Sequence, residues 1–162
     1  MIKLALVRID SRMIHGQVMT MWSKTNGINH ILAIDDALMA DPFMQDIYRM
    51  AVPHKLRVTM IGVKEAGEKW RNQEFADDVY LVLFKDVHTA LAAWKEGFRY
   101  ESLQVGNLTP EKRTKMLHVN SRLSVEHVEE LKELQENGVE VYAQSVPTEK
   151  KNMLNDLMKK MI

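Results

Sequence analysis

Apolar residues along this chain arrive in two alternating rhythms. Short, nearly continuous apolar runs give way to stretches whose apolar positions recur every three or four residues. The runs predict strands at Lys3–Ile9, His30–Asp35, Lys55–Ile61, Asp78–Phe84, Ser102–Val105, Leu117–Val119 and Val139–Ala143. The periodic stretches between them predict helices, several with start and stop signals. Asp41 before Pro42 places an N-cap ahead of a proline at the first helical position. Asp86 caps a helix that Gly97 ends. Ser124 caps a helix with Val125, Val128, Leu131 and Leu134 on its apolar face, closed by Gly138. Thr148 caps a last helix with Met153, Leu154, Leu157, Met158 and Met161 on one side. A helix from Val63 to Trp70 is weakened by Gly67, and the stretch from Gly106 to Met116, with Asn107, Thr109-Pro110 and a charged run, reads as an exposed loop.

Strands alternating with helices imply an α/β fold: an open, mostly parallel twisted sheet of about seven strands with helices on both faces. No repeat, low-complexity tract or long linker divides the chain, so residues 1–162 are expected to form one domain. The C-terminal ends of parallel strands share one edge, where open α/β sheets place their chemistry. That edge would gather Arg8–His15, Asp35-Asp36, Gly62, Phe84-Lys85 and Gly106-Asn107.

Composition narrows the function. The 22 basic and 22 acidic side chains cancel, which gives no support for nucleic acid or another polyanion as partner. No apolar run approaches the roughly 18–20 residues of a membrane span. Arg8 and Asp10 interrupt the N-terminal apolar stretch too early for a signal peptide. The absence of cysteine excludes disulfides, thiolate metal sites and cysteine nucleophiles, and fits a cytoplasmic protein. The 12 methionines read as core filler.

Chemistry concentrates where the first strand gives way to a helix. His15 is followed by Gly16 and by Val18, Met21 and Trp22 at helical spacing. A neutral imidazole is a good nucleophile. Arg12 could neutralise an anion bound at His15, and Asp10 could orient the ring or the arginine. The amides after His15 would add donors. Together they make a candidate phosphoryl acceptor site, against which stands the simpler reading of a loop histidine among surface salt bridges. His30, His54, His88, His118 and His127 show no metal-ligand spacing, and His88 and His127 read as surface residues in first helical turns. Asp35-Asp36 could hold Mg²⁺ beside a phosphate or could be helix-entry carboxylates. Lys85 could bind phosphate or be a solvated lysine. No Walker loop, G-x-G-x-x-G or G-x-S-x-G is present.

The string Arg8-Ile9-Asp10-Ser11-Arg12-Met13-Ile14-His15-Gly16-Gln17-Val18 resembles the R-I-D-x-R-L-I-H-G-Q-V signature of IIB subunits of mannose/fructose/sorbose-type sugar phosphotransferase systems. Met13 stands for leucine. The resemblance continues in order through Asp35-Asp36 with Ala40-Asp41-Pro42-Phe43, Leu83-Phe84-Lys85, Val105-Gly106-Asn107 and Gln144-Ser145-Val146-Pro147-Thr148. The family often has asparagine at Gln104 and methionine at Leu108, departures that flank the Gly106–Met116 loop.

The resemblance implies a phosphocarrier. His15 would accept a phosphoryl group from phosphohistidine of a IIA protein, through Nδ1, and pass it to a sugar bound by membrane subunits IIC and IID. Arg12 would stabilise the phosphoryl group and Asp10 would support the loop. Arg8, Ser11, Met13, Gly16, Gln17 and Lys85 are further candidates for phosphate binding or loop support. An exposed Met13 side chain could seal the docking interface against water, or could pack the loop to the core. No cofactor and no metal are expected. The chain would be cytoplasmic and peripherally associated with the permease, with homodimer formation left open. Two other classes compete: an Mg²⁺-dependent, aspartate-phosphorylated receiver using Asp35-Asp36 and Lys85, and a non-catalytic sugar- or effector-binding regulator.

Overall fold

The computed structural model describes residues 2–109, 115–118 and 121–160. In chain order its elements are β1 (Lys3–Ile9), α1 (Gly16–Thr20), a 3-10 turn at Trp22–Lys24, β2 (His30–Ile34), α2 (Asp36–Met39), α3 (Pro42–Ala51), β3 (Arg57–Ile61), α4 (Val63–Arg71), β4 (Val79–Phe84), α5 (Val87–Lys95), β5 (Ser102–Val105), β6 (Lys115–His118), β7 (Ser121–Leu123), α6 (Val125–Glu136), β8 (Glu140–Ala143), β9 (Asn152–Met153) and α7 (Leu154–Lys159). Seven strands form one sheet in the order β3-β2-β4-β1-β5-β8-β9, and β6 pairs with β7 in a separate antiparallel ribbon. Within the large sheet every pairing is parallel except that of β8 with β9.

Alternation along the strands splits the core in two. Val7, Ile9, Val82, Phe84, Leu103 and Val105 face one side and pack with α4, α5, α6 and α7. Leu6, Ile31, Ala33, Leu81 and Leu83 face the other, against α1, the 3-10 turn and α2. The connection after β1 leads over this second face toward β2, whereas the one after β5 leads over the first face toward β8. The C-terminal ends of β1 and β5 therefore diverge at a topological switch point, which opens a crevice between them.

Asp41, Asp86 and Ser124 cap α3, α5 and α6 as expected, each accepting a backbone N–H at the third residue beyond it, worth about 1 kcal/mol apiece. His127 completes the Ser124 cap by accepting the Ser124 N–H through Nδ1. The positive φ of Gly97 and Gly138 lets the chain turn out of α5 and α6. Gly67 is required despite its helix cost, because a Cβ there would collide with the Glu96 carbonyl as α4 packs on α5.

Two expectations are corrected. Thr148 does not cap the last helix: α7 begins at Leu154 after Met153, and the preceding stretch carries β9. Val125 is exposed at the start of α6, leaving Leu131 and Leu134 as its buried residues. The ribbon strand β7 and the edge strand β9, three and two residues long, are too short to show periodicity. Residues 110–114 of the expected loop, Val119 and Met161 lie outside the described residues.

Candidate functional site

The ladder runs past the end of β1. The Asp10 N–H donates to the Phe84 carbonyl at 2.9 Å, and the Gly106 N–H donates to the Ile9 carbonyl at 2.8 Å. The Ser11 N–H then donates to the Asn107 carbonyl at 2.8 Å. These bonds tie the Asp10–Met13 turn to both neighbouring strands. Met13 takes a positive φ of 56° and donates its N–H back to the Asp10 carbonyl at 2.9 Å. Its side chain is only 1% exposed, so it anchors the turn to the second core and is not the exposed apolar contact considered from the sequence. His15 follows at the N-cap of α1, its carbonyl accepting the Met19 N–H.

Asp10 is the centre of this turn. Its carboxylate is fully buried and accepts on both oxygens. Oδ1 takes the Arg12 N–H at 3.0 Å and Arg12 Nε at 3.4 Å. Oδ2 takes His15 Nε2 at 3.2 Å and Arg8 Nε at 3.4 Å. Burial pushes the Asp10 carboxyl upward, but the His15 bond, the Arg12 N–H and the Arg8 charge outweigh it and hold Asp10 below its ordinary value. Asp10 therefore stays ionised. With Nε2 on the carboxylate, Nδ1 is the ring nitrogen that no described group engages. The His15 side chain is 17% and the Arg12 side chain 45% exposed, so both can be reached from solvent. A Cβ at Gly16 would meet nothing within 4 Å, which leaves space over the start of α1.

Arg8 has a different place from Arg12. It is 1% exposed, points to the second face beneath the turn, and lies 4.9 Å over the Trp22 ring. Burial lowers its pKa, opposed by Asp10. It supports Asp10 from below and does not face the open side of His15. Gln17 lies in α1, and its side chain is outside the described set.

Asp35 and Asp36 are engaged with the backbone. Asp35 caps α2 by accepting the Leu38 N–H at 2.9 Å, and burial pushes its pKa up. Asp36 accepts the Val63 N–H at 2.8 Å, capping α4 from another element. Among the described residues no group of three or more His, Cys, Asp or Glu is placed to hold a metal ion. Lys85 is exposed and, with Met13, Asp35, Asp41 and Tyr48, lines a small cavity of about 100 Å³ beside the turn.

This geometry can be compared with known proteins. The profile of the family "PTS system sorbose subfamily IIB component" matches residues 4–162. The chain belongs to this family. It is a IIB phosphocarrier of sugar uptake, and the family implies IIA and IIC/IID partners. The sorbose-specific EIIB component of Klebsiella pneumoniae is 27% identical over 139 residues, 86% of this chain and 85% of that protein. The mannose-specific EIIAB component of Escherichia coli K12 is 27% identical over 159 residues; these cover 97% of this chain but 49% of that longer protein. The crystal structure of manxB from Thermoanaerobacter tengcongensis superposes with a TM-score of 0.89 at 34% identity, covering 99% of this chain and 97% of that one.

Two residues of this IIB component were missed from sequence. Gln104 accepts from Arg8 Nη1 at 2.5 Å, and the Gln144 carbonyl accepts from the same nitrogen at 2.9 Å. The available signal was a glutamine inside the apolar strand Leu103-Gln104-Val105, opposite Arg8 in the register of β5 on β1. A polar residue in a buried run needs a partner.

Proposed function

We propose that His15 is the phosphoryl acceptor and that it reacts through Nδ1. The carrying observation is the His15 Nε2–Asp10 Oδ2 contact of 3.2 Å. With the ring proton on Nε2, the lone pair sits on Nδ1. That lone pair attacks phosphorus of the IIA phosphohistidine, the donor P–N bond breaks, and its electron pair returns to the donor imidazole. Each ring keeps the proton on its other nitrogen, so the transfer needs no proton relay. Positive charge develops on the His15 ring as the new P–N bond forms, and the ionised Asp10 stabilises it.

Arg12, half-exposed beside His15, offsets the charge on the phosphoryl oxygens. The backbone N–H groups at the start of α1 add donors on the same side. Arg8, Ser11 and Met13 hold the turn, and Lys85 adds positive charge at the same edge. The charged carrier then passes the group to a sugar bound by IIC and IID at the cytoplasmic face. Binding to those subunits supplies the membrane association. No helix among the described residues is long and apolar enough to cross a membrane.

The test is phosphorylation with phosphoenolpyruvate, the general phosphotransferase proteins and a mannose-type IIA, read by intact mass and peptide mapping. One acid-labile phosphoryl group on His15, dependent on IIA, is expected. A label on another residue, or an Mg²⁺-dependent label on an aspartate, overturns the assignment.

A further inference from the structure

The buried polar groups do not end at Arg8. Its Nη1 donates to Gln104 Oε1, Gln104 Nε2 donates to Gln144 Oε1 at 3.0 Å, and Gln144 Nε2 donates to the Glu149 carbonyl at 2.7 Å. Gln104 is fully buried and Gln144 8% exposed. Each amide is fixed by the next: Gln144 must present its oxygen to Gln104 because its nitrogen is held by Glu149, and Gln104 must then present its oxygen to Arg8. The polarity of the whole chain is thus set by one main-chain carbonyl in the turn after β8.

That polarity matters to Arg8. A buried guanidinium needs acceptors for its donors. Gln104 Oε1 and the Gln144 carbonyl occupy Nη1, which directs Nε and Nη2 to Asp10 Oδ2, both at 3.4 Å. The same oxygen binds His15 Nε2. Where Arg8 is held decides where Oδ2 sits, and Oδ2 decides how the imidazole is turned.

We propose that Gln104 and Gln144 are positioning residues of the phosphotransfer site, a buried amide relay that holds Arg8 on Asp10 and so fixes the His15 ring with Nε2 bonded and Nδ1 open. Its kinetic consequence rests on His15 being the acceptor; its structural consequence does not. Neither glutamine touches the phosphoryl group.

Gln104→Met keeps a side chain of similar length and removes both relay bonds. Gln144→Met cuts one link farther away and leaves the main-chain bond to Arg8 intact. Two readouts separate positioning from mere packing. The first is the hydrogen-bonded Nε2 proton of His15 by ¹H–¹⁵N NMR on the full chain, with the rest of the amide map as the fold control. The second is kcat against KM for phosphorylated IIA. In Gln104→Met the proton signal is expected to be lost, and kcat to fall about ten- to hundredfold, with KM unchanged, as for a small misplacement of a reacting group. Gln144→Met should show the same signs more weakly. A retained Nε2 signal and parent kcat in both variants overturns the relay, even where stability falls. If Gln104→Met does not fold, Gln144→Met decides. If the parent chain takes no phosphoryl group from IIA, the acceptor assignment fails, and the NMR signal alone decides the relay.

Discussion

Two histidines in this molecule lie against aspartates, at opposite ends of the sheet, and they are held in opposite ways. His30 starts β2 at the N-terminal edge. Its Nδ1 meets Asp78 Oδ2 at 2.9 Å, its Nε2 meets Thr59 Oγ1 at 2.7 Å, and its ring stacks on Tyr80 at 4.4 Å. Asp78 is in turn held by Arg57 at 3.2 Å and Asn29 at 3.3 Å. His15, past the C-terminal end of β1, has one nitrogen on Asp10 and the other open. An aspartate–histidine pair is therefore not in itself a reactive device. A partner on one nitrogen leaves a defined lone pair on the other; partners on both nitrogens close the ring off and make it a structural clamp.

The widest separation between the two comes from deleting each ring. His15→Ala should abolish phosphorylation by IIA while the chain stays folded. His30→Ala should cost about 2–4 kcal/mol of stability, the loss of a stacked, doubly bonded buried side chain, and leave phosphorylation of the folded fraction intact. A histidine-bound phosphoryl group surviving in His15→Ala, measured by acid lability and peptide mapping, would overturn the role given to His15; if it mapped to His30, it would reverse the roles of the two rings. Arg12→Ala comes next: transfer should slow by about a hundredfold, as for loss of one transition-state charge partner. Unfolding by denaturant should barely change, because that side chain is half-exposed. A parent rate in Arg12→Ala would make Arg12 structural.

A smaller effect sharpens the comparison through pH. Asp10 has a folded-state pKa below its unfolded value. Its contribution to stability is therefore fully present above the ordinary carboxylate range and is lost as pH falls through the lowered folded value. The stability difference between the parent and Asp10→Asn should be constant at neutral pH and shrink on acidification; growth of the difference in acid would contradict the sign. The smallest expected effect is Thr59→Val, which removes one of the two bonds to His30 and should cost about 1 kcal/mol with no change in phosphorylation.

Much of this was legible in the sequence because it is local. Each of the long strands announces itself as an apolar run, and Asp41, Asp86 and Ser124 act on amides three residues away. The string from Arg8 to Val18 carries the candidate site in consecutive positions, so the family and the proposed acceptor histidine could be read together. What escaped is non-local. Asp36 caps α4 across 27 residues, and Arg8 reaches Gln104 and the Gln144 carbonyl across 96 and 136 residues; no spacing rule in a single chain encodes such pairings. Met13 allowed two readings, an exposed contact or a core anchor, because the string alone does not show which way the turn aims it; with a φ of 56° its side chain is buried in the second core. Thr148 misled because Glu149, the residue after it, is occupied by the Gln144 and Ser145 turn, so the helix starts later.

Gly106 carries a consequence of a different kind. A Cβ at that position would run into the Arg8 guanidinium, so the two positions cannot both hold side chains of ordinary size. Neither can change first without harm. A side chain at 106 displaces Arg8, and a shortened residue at 8 leaves Asp10 buried without one of its cations. Any variant that keeps a charged Asp10 must therefore treat both positions together. The restraint on how the sequence can evolve is written into a van der Waals contact, with no need for either residue to touch the phosphoryl group.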